Sequence, residues 1–362
     1  MILYEKEPLV IKSSVPTGNY EVTLYIKAHS DTFYTVFIQD SQFVTHKREI
    51  KNGEEQALTF TASVHDKLFK GGNMYKPEGL IITIATDGDI TATSHISPVD
   101  IPTLYVIGDS TVTNQPSFFP YNPEEIYCGV AQPLGMFVDT KIAVSNHAES
   151  GATTQDAIDM HIKAFENDIK QGDFLMVEFG HNDQKIAELS AFGGYSDNLR
   201  FLINWARERG ATPIVNSPIN RIIFDEDGSV FDLLGNNKKA VQMVANETDT
   251  PFIDMWSAVT DFITPLGLYT SKQFFRHDNE SQDYTHPNIL GGVIFSKMLA
   301  NMLHDANIKG LSEHITPQVI DKVKIPENAP FESNAFEFKR LKTLGVGDTI
   351  DDIDDDISNL GK

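Results

Sequence analysis

The chain has 362 residues, is 41% hydrophobic and 22% charged, and carries a formal net charge of −22. At roughly 100–200 residues per domain, that length points to two or three domains, and the composition is that of a soluble globular protein. The charge excludes a phosphate-tracking surface, because nucleic-acid binders present basic stripes.

Residues 1–98 read as an N-terminal β-sandwich domain. Tyr20, Val22, Leu24 and Ile26 alternate with Glu21, Thr23 and Lys27, and Leu58, Phe60 and Ala62 alternate with threonines. A period of two buries one face of a strand. "FYTVFIQ" and "LIITIAT" are further strands, and "NGEE", "KGGN" and "DGD" supply turns between them. Residues 96–102, "ISPVDIP", read as a linker, since two closely spaced prolines interrupt ladders and helices alike.

From residue 103 to about 312 the pattern changes. Five apolar runs, "LYVIG", "KIAVSN", "FLMVEFG", "TPIVNSP" and "TPFIDM", alternate with amphipathic segments. Residues 155–170 place Ile158, Ile162, Phe165 and Ile169 on one helical stripe that Gly172 ends; residues 196–209 do the same with Leu199, Leu202, Ile203 and Ala206. Near-continuous aliphatic strands alternating with helices predict an α/β domain whose five-stranded parallel sheet is covered on both faces. Residues 313–362 form a C-terminal extension. Its residues 348–358, "DTIDDIDDDIS", read as a solvated acidic tail, because the turn glycine and terminal Glu of a calcium loop are missing.

Cys128 is the one cysteine, so no intrachain disulfide forms, and it reads as a small buried hydrophobe. The first ten residues hold acidic side chains where a signal peptide would be apolar, and no run approaches a membrane span. The expectation is a cytoplasmic protein.

Ligands of open parallel sheets bind beyond the carboxyl ends of the strands. There stand Gly108-Asp109-Ser110, then "HAESGATT" with Gly151, "GHNDQK" with Asn182, and later "DYTHPN" with Asp283 and His286. Hydrolysis by a serine needs a base, a group that orients the base, and donors for the oxyanion. Ser110 is the candidate nucleophile, His286 the base and Asp283 the orienting carboxylate. Of the eleven histidines only His286 has an aspartate three residues before it, and a short loop would bring that pair into contact. The order Ser, Asp, His is that of α/β hydrolases. The candidate oxyanion hole is the backbone N–H of Ser110 and of Gly151 with the side-chain amide of Asn182; a glycine at 151 lets the backbone approach substrate without a Cβ.

The neighbouring polar residues read differently. Asp109 and Asp183 are loop anchors, and His181 is a packing histidine. His277 beside Asp278 is a rival base pair, but adjacent residues rarely face each other. Gln184, Lys185, Arg221 and Trp256 are candidates for a sugar site, with core or surface roles equally open. No paired cysteines or His-Glu-x-x-His suggest a metal, and no Walker or dinucleotide glycine pattern suggests a nucleotide, so no cofactor is expected.

"VIGDSTVTNQ", "NHAESGATT", "EFGHNDQK" and "DYTHPN" together resemble the blocks of the SGNH (GDSL-type) hydrolase superfamily, and specifically its rhamnogalacturonan acetylesterases, over about residues 103–311. The resemblance implies a flavodoxin-like three-layer α/β/α fold and a serine esterase that removes acetyl groups from pectic sugars, polymeric or oligomeric, without a metal. It carries the family's catalytic serine to Ser110, its oxyanion glycine and asparagine to Gly151 and Asn182, and its Asp and His to Asp283 and His286. Many relatives have Arg-Ser after the second-block glycine, where Ala152 and Thr153 stand here; the departure bears on substrate contacts more than on chemistry. The N-terminal region resembles, in pattern, the galactose-binding-like domains that precede some such esterases. The expected partner is an acetylated carbohydrate, with no nucleic acid and no membrane, and with room for a homodimer. The alternatives are a lipase or thioesterase acting on other acyl esters, and a non-catalytic carbohydrate-binding protein.

Overall fold

Period-two alternation builds the N-terminal half. The computed structural model describes residues 3–39 and 41–336, so the acidic tail at 348–358 lies outside the described residues. Its first strands are β1 (Leu9–Ser13), β2 (Gly18–Ala28), β3 (Thr32–Ile38), β4 (Gln42–Ile50), β5 (Glu55–Val64), β6 (Lys67–Leu68), β7 (Met74–Tyr75), β8 (Leu80–Ala85) and β9 (Ile90–Pro98). They make two antiparallel sheets, β1-β8-β3-β4 and β5-β2-β9, and a short β6–β7 hairpin closed by "KGGN". The alternating side chains of β2 and β5 pack with Tyr34, Val36, Ile38, Ile82 and Ile84 of the other sheet in one buried layer. Only the second half of segment 96–102 links. Residues 96–98 finish β9, with Pro98 paired to Tyr20. On an edge strand the missing proline N–H breaks no ladder bond.

The five later runs become β10 (Thr103–Gly108), β11 (Ala143–Asn146), β12 (Phe174–Glu178), β13 (Thr212–Asn216) and β14 (Phe252–Ile253). They form a parallel sheet ordered β11-β10-β12-β13-β14. The helices include α1 (Thr154–Asp159), α2 (Gly194–Glu208), α3 (Gly235–Thr248), α4 (Met255–Ile263), α5 (Gly267–Ser271) and α6 (Ile289–Asp305). Leu104, Val106 and Met176 pack with Val259 and Ile263 of α4 and Phe295, Leu299 and Leu303 of α6. Tyr105, Ile107, Leu175 and Val177 pack with Leu199, Leu202 and Ile203 of α2 and Val241 and Val244 of α3. Because successive strand residues face opposite sides, a buried strand needs both layers. The result is a flavodoxin-like α/β/α domain.

The stripe over 155–170 does not run as one helix. After α1, Met160 leaves helical backbone (φ −135°, ψ −59°), and residues 161–164 form a 3₁₀ turn. His161 Nε2 sits 3.2 Å from Glu149 Oε2, and Phe165 stacks on Tyr105 with centroids 4.5 Å apart. These tertiary contacts override a continuous local periodicity.

The two halves share a further buried cluster: Tyr4, Phe37, Phe43 and Ala85 with Tyr121, Ile126, Cys128 and Ile289. Residues 313–336 pack back on the α/β domain, with Thr316 N–H donating to Phe137 O at 2.8 Å and Asn334 Nδ2 to Ile222 O at 3.1 Å. Among the described residues no helix is long and apolar enough to cross a membrane.

Candidate active site

Strand β10 ends at Gly108, where a Cβ would lie 2.2 Å from Val112 Cγ2 and 2.5 Å from Glu178 O, so no side chain fits. The turn that follows is tied to Asp109. Its Oδ1 accepts the Thr111 N–H (3.0 Å) and faces the Thr111 hydroxyl (2.8 Å), and its Oδ2 accepts the His181 N–H (3.3 Å). Its carbonyl accepts from Val112 N–H, Thr113 N–H and the Thr113 hydroxyl. Asp109 is fully buried, while Ser110, one residue on, lines a cleft of about 660 Å³.

Asp283 and His286 come from β16 (Gln282–Pro287), paired antiparallel with β15 (Phe275–His277). In a regular strand residues i and i+3 point to opposite faces. Here the register is broken: Phe275 pairs with Pro287 and His277 with Gln282, leaving surplus residues on β16. Asp283 Oδ1 takes up the slack by accepting N–H bonds from Thr285 (2.7 Å) and His286 (2.8 Å). A bulged strand, rather than the expected short loop, brings the pair together. Asp283 Oδ2 is 2.9 Å from His286 Nδ1, and His286 Nε2 is 2.8 Å from Ser110 Oγ. In the tautomer whose Nδ1–H donates to Asp283 Oδ2, the imidazole turns the Nε2 lone pair toward the serine hydroxyl. Burial opposes the charge on Asp283, yet His286 and the two N–H groups hold its carboxyl below the usual range. The Tyr127 ring packs at 81° to the imidazole, 5.6 Å away, and the Arg276 guanidinium lies 5.6 Å from the centroid of that tyrosine ring.

Gly151 and Asn182 reach the same cleft. Gly151 has φ +81°, and a Cβ there would meet nothing within 4 Å; backbone conformation, not crowding, calls for glycine here. Asn182 Nδ2 donates to Ala152 O at 3.0 Å, which aims the amide and leaves a second N–H on the same nitrogen. Ser110 and Asn182 follow β10 and β12, the neighbours at which the sheet's order reverses.

Lys185 lines the cleft, but Arg221 is fully buried beneath it, where burial brings its guanidinium down to about 10. Trp256 lies under Lys238, whose Nζ is 4.6 Å from the ring. Gln184 turns its amide to His181 O. His181 is buried, and burial holds its imidazole well below the ordinary value. Asp183 accepts from Thr154 N–H and hydroxyl, with burial raising it to about 7. The rival pair does not form: His277 Nδ1 is bonded to Phe275 O, and Asp278 to Arg276. Gln115, Tyr127 and Arg276 also line the cleft, and sequence reasoning passed them over. Gln115 had a signal, its place inside the first block; Tyr127 and Arg276 had none. Among the described residues no group of three or more His, Cys, Asp or Glu side chains is placed to hold a metal ion.

A serine, an imidazole and a carboxylate in hydrogen-bonded line at the switch point of a flavodoxin-like sheet are the arrangement that acyl-transferring hydrolases use. The comparisons then give the particular family. Residues 106–291, just over half of the chain, match the GDSL-like lipase/acylhydrolase family, and the chain belongs to it. It is 30% identical over 222 residues to the rhamnogalacturonan acetylesterase RhgT of Bacillus subtilis (strain 168), covering 59% of this chain and 93% of that one. It is 27% identical over 215 residues to the probable rhamnogalacturonan acetylesterase YesY of the same strain, covering 58% and 92%. A crystal structure of the protein YxiM from Bacillus subtilis matches with TM-score 0.53 at 20% identity over 84% of this chain and 82% of that one, a likeness of fold.

Proposed function

We propose that this protein is a serine esterase that removes acetyl groups from carbohydrates, pectic rhamnogalacturonan-type sugars in particular, through an acyl-enzyme formed on Ser110. The Ser110–His286–Asp283 line, at 2.8 and 2.9 Å, carries the reading. His286 takes the Ser110 proton as Oγ attacks the acetyl carbonyl. The oxyanion rests on the N–H groups of Ser110 and Gly151 and the Asn182 amide. As the intermediate collapses, the bond from the acyl carbon to the sugar oxygen breaks and His286 returns its proton to that oxygen, freeing the sugar hydroxyl; water then repeats the cycle and acetate leaves.

Two features of the cleft support a small acyl group on a polar sugar. None of its lining residues is Leu, Ile, Val, Met or Phe, which disfavours the lipase or long-chain thioesterase alternative. Lys185 and Arg276, the latter ion-paired with Asp278, line it together with Asp283, so the cleft holds cationic side chains in a chain of net charge −22, a setting compatible with a uronate-bearing substrate. The names of the two curated relatives point the same way.

The test is acetate release from acetylated pectin and xylan fragments, with chromogenic acetyl and octanoyl esters alongside. Ser110→Ala is expected to abolish release while melting like the wild type. Full activity in that variant would sink the nucleophile assignment, and a preference for octanoyl esters would move the protein to the lipases.

A further inference from the structure

Gln132 is fully buried between the two halves of the molecule. Its Nε2 donates to Ser41 O (2.7 Å) in the N-terminal sandwich and to Gln115 O (3.0 Å), while its Oε1 accepts the Gln115 N–H (3.1 Å). Two carbonyls and one N–H as partners fix which end of the amide is nitrogen. Its backbone is bound to the sandwich as well, Gln132 O accepting the Phe43 N–H at 3.1 Å. Ser117 N–H adds a parallel bond to Ser41 Oγ at 3.0 Å.

The peptide groups of Gln115 are thus clamped from the sandwich side. Its side chain works on the opposite side. Gln115 Nε2 donates to Ser110 O (3.0 Å) and Ser150 Oγ (3.2 Å). One amide nitrogen therefore bridges the loop that carries Ser110 and the residue immediately before Gly151. Those loops bear the two backbone N–H groups to which the esterase reading gives the oxyanion.

We infer that the N-terminal sandwich is a positioning element of the ester-cleaving site, acting through Gln132 and Gln115 to set the spacing of the Ser110 and Gly151 loops. The inference rests on the serine-esterase reading. Gln115 and Gln132 are positioning residues: neither exchanges a proton nor bonds to the acyl carbon. The path runs in series, from Ser41 to Gln132 to Gln115 to the two loops, so loss of either glutamine releases the same geometry. A displacement on the order of 1 Å at a reacting centre lowers rate by about 10²-fold.

The test uses the full chain and the variants Gln115→Met and Gln132→Met, which keep length and lose the hydrogen bonds. The readouts are kcat and KM on a chromogenic acetyl ester, the rate at which a small organophosphonate labels Ser110, and the melting temperature. Gln115→Met is expected to lower kcat and labelling rate together, by about 10- to 10²-fold, with KM and melting temperature near the wild-type values. Gln132→Met loses kcat to the same extent and also melts lower, because a buried clamp is gone. The double variant loses no more kcat than the worse single one, as elements in series require. Unchanged labelling in Gln115→Met overturns the inference. So does a change confined to KM, which would make Gln115 a substrate contact, or additive losses in the double variant. If Gln132→Met does not fold, Gln132→Glu, which retains the bond from Gln115 N–H, is measured in its place. Ser110→Ala run alongside keeps the two readings apart: activity there defeats the serine reading, whereas an inert Ser110→Ala beside a fully active Gln115→Met defeats only the clamp.

Discussion

The Thr111 hydroxyl lies 2.8 Å from Asp109 Oδ1 and 3.1 Å from Glu178 Oε1, and both carboxyls are fully buried. It has one proton to share between them. A neutral carboxyl on one side would donate to the Thr111 oxygen and satisfy both contacts. Burial raises Asp109 too, but two backbone N–H bonds favour its anion and oppose that shift. Burial pushes Glu178 well above the ordinary carboxylate value, the Asp109 charge adds to this, and the bonds from Thr111, Ile219 N–H and Asn216 only partly oppose it. The expected holder of the proton is Glu178, whose carboxyl is raised further than that of Asp109. Infrared spectra should then contain a buried protonated-carboxyl band that shifts in D₂O and is missing in Glu178→Gln. The stability consequence has a fixed sign. A carboxyl raised from 4.5 on folding contributes fully below that pH and loses the contribution as pH climbs toward its folded value, by up to about 1.4 kcal/mol per unit. The amide of the Glu178→Gln variant does not titrate and is free of this slope. The melting-temperature advantage of Glu178→Gln over wild type should therefore widen from mildly acidic to mildly alkaline pH; parallel curves would place the proton elsewhere. That Ser110, Asn182 and His286 line one cleft was legible in the sequence, because polar residues after the strands gather at the sheet's carboxyl edge. Glu178 was not, because a carboxyl inside "FLMVEFG" gives no sign of whom it will face.

At the scale of elements, all five runs of the parallel sheet were legible because continuous burial leaves a continuous apolar signal. The hairpin that holds Asp283 and His286 was not, since its bulge follows from hydrogen bonds to one carboxylate and not from any periodicity. Helix α1 was overdrawn for the reason given by His161 and Phe165. What remains of it is short, and short helices depend on their ends. Thr153 is its N-cap: the hydroxyl accepts from Asp156 N–H, and the Asp156 carboxylate accepts from Thr153 N–H at 2.9 Å, closing a capping box. Lys70 from the sandwich adds its ammonium 3.3 Å from Asp156. Where many relatives of the resembled family have serine, threonine here does the capping. Thr153→Ala is expected to cost about 1 kcal/mol, read as a lower denaturant midpoint at unchanged slope. Since the cap begins two residues after Gly151, kcat on the acetyl ester should also fall; an unchanged midpoint would mean that the tertiary contacts alone hold α1.

At the scale of the whole molecule, the change from antiparallel strands through β9 to the parallel sheet from β10 falls where the period changes in the sequence, but the packing of the two parts against each other was not legible. Docking residues such as Phe37 and Phe43 belong to strands whose sequence says only that they are apolar. In the structure their rings meet edge to face at 4.8 Å and pack with Tyr121, Ile126 and Ile289 of the α/β half. A core shared across the boundary makes unfolding of one half expose apolar surface of the other, so the two should melt together. Calorimetry of the full chain is expected to give one transition whose van't Hoff and calorimetric enthalpies agree. Phe43→Ala removes a buried aromatic from that shared cluster, a change of about 3–5 kcal/mol in ordinary cores. If the halves are coupled, the single transition moves down intact. If instead Phe43→Ala splits it, with the α/β half melting at the wild-type temperature, the sandwich is a separately stable passenger, and its hold on Gln132 is too weak to set the geometry around Ser110.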